Sequence, residues 1–77
     1  MTPTTGRVHL DSTTLVAAAY DDSAETLQLD FRDGTRYIYS GVVPGLYRGL
    51  LRAVSKGLFF NQHIRDHFPY AKLPPEN

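Results

Sequence analysis

Cysteine is absent from the 77 residues. That removes disulfide bridges, thiolate metal sites and cysteine nucleophiles together, and fits a reducing compartment. Long apolar runs are missing too. The longest, Leu15 to Tyr20, has six residues, far short of the roughly 20 that a membrane span needs. The opening Met1-Thr2-Pro3-Thr4-Thr5-Gly6 has neither a basic start nor an apolar core, so no secretory signal is predicted and a cytoplasmic protein without membrane contact is expected. Net charge is zero, whereas nucleic-acid-binding domains are usually strongly basic. No catalytic constellation is present either. Serines, histidines and aspartates occur, but no motif unites a nucleophile, a base and an orienting acid, and so short a chain leaves little room for a buried cleft. The expectation is therefore no enzyme, no cofactor and no small-molecule substrate. His63 and His67 have the spacing of two ligands on one helical face, yet only His9 or Asp66 could be a third, so no metal site is predicted.

What the chain does have is asymmetry. Residues 1–35 set Arg7 and Arg32 against six acids, whereas residues 36–75 set six cations against Asp66 alone. The length fits one domain, and chains this short bury only about 60% of their unfolded surface, so core bulk is scarce. Val8 to Leu10 reads as a short edge strand and Leu15 to Tyr20 as a buried strand. From Leu27 the pattern alternates, with Leu27, Leu29 and Phe31 on one face and Gln28 and Asp30 on the other. Asp33-Gly34 signals a hairpin, and Arg36 to Gly41 returns as the third main strand. Val43-Pro44 ends it and opens a helix.

Projected at 100° per residue, positions 46–56 place Leu46, Tyr47, Leu50, Leu51, Ala53 and Val54 on one side. Arg48, Arg52, Ser55 and Lys56 fall on the other. Gly57 reads as the helix stop, and a second helix is expected to carry Phe60, Ile64 and Phe68 at i, i+4 and i+8. The fold class is therefore α+β: a small three-stranded antiparallel sheet followed by two helices on one face, β-β-β-α-α, over residues 7–73. Residues 1–6 and 74–77 are expected to be frayed.

Two features point toward a binding surface. The row Arg48, Arg52 and Lys56 would span about 12 Å of helix and follow two or three phosphates, with Arg36 and Arg65 as further cations. No acid lies between Arg36 and Arg65, although a solvated helix face is the ordinary explanation of such a row. Tyr37 and Tyr39 share one strand face, and the hairpin decides which. A two-residue turn puts them on the open face as stacking platforms, whereas a three-residue turn with left-handed Gly34 sends them into the core. In either register they lie away from the cationic row, because helices cover the core face of such a sheet. Tyr37, Tyr39, Pro44 and Gly57 are therefore assigned to the fold, and Ser55 and Gly57 to turn chemistry.

Many short pieces follow one another in a specific order: Ser12-Thr13, Tyr20-Asp21, Leu27, Phe31, Gly34 and Tyr37-x-Tyr39. They continue through Val43-Pro44, Tyr47, Ala53-x-Ser55-x-Gly57, Phe60-Asn61, Ile64-Arg65 and Tyr70. This order resembles the KTSC domain, a module named for its place at the C-terminus of some lysyl-tRNA synthetases and found also as a free-standing small bacterial protein. The resemblance spans roughly residues 8–73. It implies a module for which RNA binding has been suggested, with no catalytic residue to carry over. The expected partner is RNA, met by the cations above. The alternative is a protein-interaction or dimerisation module docking on itself or on a larger bacterial or phage protein.

Overall fold

A computed structural model describes residues 7–74. Strands β1 (Val8–His9), β2 (Leu15–Asp21), β3 (Thr26–Phe31) and β4 (Arg36–Ser40) precede helices α1 (Pro44–Arg52) and α2 (Lys56–His63). Strand β5 (Tyr70–Leu73) then closes the order. The α+β class and the two helices agree with expectation, but the sheet has five antiparallel strands rather than three, in the order β1-β2-β3-β4-β5. Strand β5 is the unforeseen element. It returns after both helices and pairs with β4 from Tyr39↔Tyr70 to Arg36↔Leu73. The Nη1 of Arg36 donates to Pro74 O at 3.0 Å, so the backbone is held at least to that residue. Residues 1–6 and 75–77, where fraying was expected, lie outside the described residues.

Side-chain parity follows from two irregularities. In β2 the register shifts between Leu15 and Ala17, so that Leu15 opposes Phe31 and Ala18 opposes Leu29. A bulge of this kind lets an unbroken apolar run feed one face. Between β3 and β4 the connection is the three-residue turn. Gly34 N–H donates to Phe31 O at 3.0 Å, Phe31 N–H donates to Thr35 O at 2.9 Å, and Gly34 has φ +92°. Glycine takes that backbone conformation without the steric cost that a side chain brings. The Asp33 carboxylate braces the turn by accepting from Thr35 N–H at 3.0 Å and Thr35 Oγ1 at 2.7 Å. Leu29 consequently opposes Tyr37 and Leu27 opposes Tyr39 on the core face.

Val43 is extended at φ −75° and ψ 154°, as a residue before proline should be, and Pro44 starts α1. The helix lowers Leu50 into the core with Leu15, Leu27, Leu29, Val42 and Ile64. It does not run to Lys56. Ala53 turns extended at φ −64° and ψ 138°, and Ser55 becomes the N-cap of a new helix, its side chain accepting from Leu58 N–H. Val54, assigned by periodicity to the apolar side, is therefore fully exposed. Gly57 is no stop but an early residue of α2. A Cβ there would meet Thr14 Oγ1 at 2.9 Å, so its role is close approach to the β1–β2 connection. The second helix ends at His63 instead of continuing through Phe68. Arg65 N–H bonds back to Phe60 O at 2.8 Å, and Asp66 is left-handed at φ 64°. That turn sends Phe68 against the core and the chain into β5. No helix among the described residues is long and apolar enough to cross a membrane.

Candidate functional site

Both helices pack on the face that carries Leu27, Leu29, Tyr37 and Tyr39, and this face has two different ends. Near α1, the Tyr20 ring stacks on Tyr47 with centroids 4.7 Å apart at 14°. The Tyr20 hydroxyl donates to Val42 O at 2.5 Å. Burial, reinforced by Glu25 and Asp22, pushes the Tyr20 phenol above its ordinary range.

At the other end five rings form a continuous network. Phe31 meets Tyr37 edge-on at 5.8 Å and Phe60 at 5.3 Å. Tyr39 meets Phe60 at 5.7 Å, and Tyr70 meets Tyr37 at 5.6 Å and Tyr39 at 5.8 Å. These are ordinary distances for favourable aromatic pairs. Tyr39 is buried and its phenol is pushed up to about 12, chiefly by desolvation. Tyr37 is half-buried, and Tyr70 is 60% exposed. Helix α2 borders this end through Phe60 and Asn61 without closing it, and the rings floor an open groove of about 460 Å³. Thr14, Thr35, Asn61, Arg65, Asp33 and Asp66 supply its polar rim. Arg65 donates to Asn61 Oδ1 at 3.4 Å across one helical turn.

The five cations expected to act together do not share a surface. Arg36 lies on the opposite sheet face, 3.6 Å from Asp30 and largely buried. Asp30 also pairs with Arg7 at 3.3 Å and accepts from Gln28 Nε2 at 3.0 Å, so Arg36 belongs to a brace across the strands. Arg48 is exposed and borders a small hollow with Tyr20, Asp22 and Tyr47. Arg52 is exposed in the last turn of α1. Lys56 belongs to α2, and its Nζ donates to Ala53 O at 2.8 Å. Of the five, Arg65 alone lines the aromatic groove. Tyr37 and Tyr39 occupy the core register, yet they remain on the side where a cation stands. Sequence parity set the tyrosines apart from the row Arg48, Arg52 and Lys56, but it had no means of placing Arg65 and Tyr70 around them. Tyr70 and Asn61 enter the sequence reading only as residues of the family motif. Neither carried a signal of a groove, because the strand that builds it lies between two prolines, Pro69 and Pro74. Among the described residues no group of three or more His, Cys, Asp or Glu side chains could hold a metal.

Comparison with known proteins places this geometry in company. The model of the KTSC domain matches residues 11–68. An uncharacterized protein of Stutzerimonas stutzeri is 35% identical over 68 residues, which is 87% of this chain and 96% of the relative. A lysine–tRNA ligase of Nostoc punctiforme is 34% identical over 55 residues, covering 71% of this chain but 10% of the ligase. The crystal structure of a KTSC domain protein from Yersinia pestis superposes with a TM-score of 0.87 at 30% identity, covering 90% of this chain and 97% of that one.

Proposed function

This chain belongs to the KTSC domain family, and on that premise we propose that it is a non-catalytic cytoplasmic module that binds RNA. The observation that carries the proposal is the groove: exposed Tyr70 beside half-buried Tyr37, with Arg65 on the rim. Aromatic rings accept nucleobases on their faces, at about 1–3 kcal/mol per stacked base, and a guanidinium meets phosphate with two parallel hydrogen bonds. One relative carries the name of a ligase whose substrate is a tRNA, which agrees with an RNA partner. Arg48 and Arg52, four apart and exposed on α1, supply a second cationic surface outside the groove.

Retention of a labelled RNA pool on the immobilised protein tests the proposal. Arg65→Glu is expected to weaken binding at least tenfold, and the Arg48→Glu, Arg52→Glu pair to weaken it less. Absence of RNA retention by the wild-type protein would sink RNA binding by this domain, and retention that none of these changes alters would sink the groove as its site. A dimerisation role is favoured by one feature, the exposed sheet edge formed by Tyr70, Ala71 and Lys72 of β5. Light scattering over a range of concentrations separates it from RNA binding, since only self-association raises the mass of the protein alone.

A further inference from the structure

Taking RNA binding as the starting point, we infer that the groove takes unpaired RNA, as a run of two or three nucleotides laid along α2 from the tyrosines toward Lys56. The aromatic groove does not end at Asn61. A second hollow of about 390 Å³, bordered by Ser12, Thr13, Ser55 and Lys56, shares Thr14 and Asn61 with it. The two hollows therefore form one track. Helix α2 alongside it has eight residues, or about 12 Å at the usual rise, enough to follow two or three phosphates.

Two observations select a single strand. The ring faces of Tyr37 and Tyr70 can be used only by a base taken out of a helix, because paired bases offer their faces to each other. The charges along the track, two cations against three acids, also do not attract a polyanion. Arg65 and Lys56 stand near its two ends, while Asp33, Asp66 and Asp11 border it. Asp33 is held ionised by the Thr35 hydroxyl and amide and lies within the field of Lys72. A duplex, which is gripped through its phosphates, finds too little positive charge here. Affinity must then come from stacking, with Arg65 and Lys56 each meeting one phosphate. Asn61, whose amide nitrogen makes no hydrogen bond among the described residues, is left to read a base edge.

Fluorescence anisotropy of end-labelled oligonucleotides, with the tyrosine emission followed in the same titration, tests this directly. The chain has five tyrosines and no tryptophan, so stacking on Tyr37 and Tyr70 registers as quenching. Tetranucleotides are expected to bind and quench, and a blunt RNA duplex to bind at least tenfold more weakly. Tyr70→Ala should weaken tetranucleotide binding about 5- to 150-fold, the equivalent of one lost stack. Tyr70→Phe should retain binding, and both variants should keep the wild-type circular dichroism. The slope of log affinity against log salt should be no steeper than about −1.4, for two phosphates on a single strand, and should lose about 0.7 in Arg65→Gln. Asn61→Ala should change the ranking of A, C, G and U tetranucleotides. Tighter binding of the duplex, or full affinity in Tyr70→Ala with affinity lost in the Arg48→Glu, Arg52→Glu pair, overturns the track while leaving RNA binding intact. Failure to bind RNA of any form overturns both. Quenching by a proline-rich peptide instead of RNA assigns the groove to a protein partner and overturns both as well.

Discussion

Tyrosines build both ends of the helix-covered sheet face, and the two ends differ in what closes over them. At the α1 end Tyr20 is 5% exposed, stacked on Tyr47 and bonded through its hydroxyl to Val42 O. At the β5 end Tyr70 is 60% exposed beside half-buried Tyr37, and only Tyr39 beneath them is closed over, against Phe60 of α2. The first arrangement uses aromatic bulk and one buried hydrogen bond to supply the stability that a 77-residue chain lacks. The second keeps the same residue type available to a partner. The difference lies in the helix break at Ala53 and the early end of α2, which leave that part of the face uncovered.

Four changes break or sharpen this contrast. Leu50→Ala empties a fully buried site beneath α1 and should cost about 2–5 kcal/mol in denaturant unfolding, with the groove variants unaffected by comparison. Tyr20→Phe leaves Val42 O without its buried donor and should cost about 1–3 kcal/mol, lowering Tm by about 4–8 °C for each kcal/mol. A loss below about 0.3 kcal/mol would show that the closed end does not depend on its hydrogen bond. Tyr39, at the floor of the open end, retains its proton in the fold from its ordinary pKa of 10.0 up to about 12. The unfolded chain releases that proton first, so the contribution of Tyr39 to stability is constant below pH 10 and is lost as pH rises through that window. Thermal melts should show the decline, and Tyr39→Phe should make it shallower, with buried Tyr20 and half-buried Tyr47 supplying the remainder. Tyr70→Ala, on an exposed edge, should change stability by no more than about 0.5 kcal/mol while removing most RNA affinity. A large stability loss there would make Tyr70 a core residue and erase the contrast.

Much of the fold was legible from local chemistry. The alternation of Leu27, Leu29 and Phe31, the hairpin at Asp33-Gly34 and the helix opening at Pro44 all appear where residue types require them. Asp-Gly served two- and three-residue turns equally well, so the face of Tyr37 and Tyr39 stayed open until the Phe31–Thr35 pairing decided it. Strand β5 was hidden because four residues between prolines give too short a pattern, and an edge strand is stabilised by the neighbour it joins rather than by its own sequence. The break at Ala53 was hidden for a related reason. Arg48, Arg52 and Lys56 keep helical spacing across it, and periodicity does not register a change of axis.

The chain has no cysteine and therefore no disulfide, and no helix among the described residues is long and apolar enough to cross a membrane. Composition and periodicity alone determined the α+β class and the apolar face of the sheet, and the order of short pieces from Ser12 to Tyr70 carried the family resemblance. The tertiary structure decided which cation meets which ring. Arg65 and Tyr70 come together with Tyr37 only because a left-handed Asp66 turns the chain back to pair with β4. Such a meeting depends on strand pairing and helix direction over long separations, and local residue preferences carry no information about either.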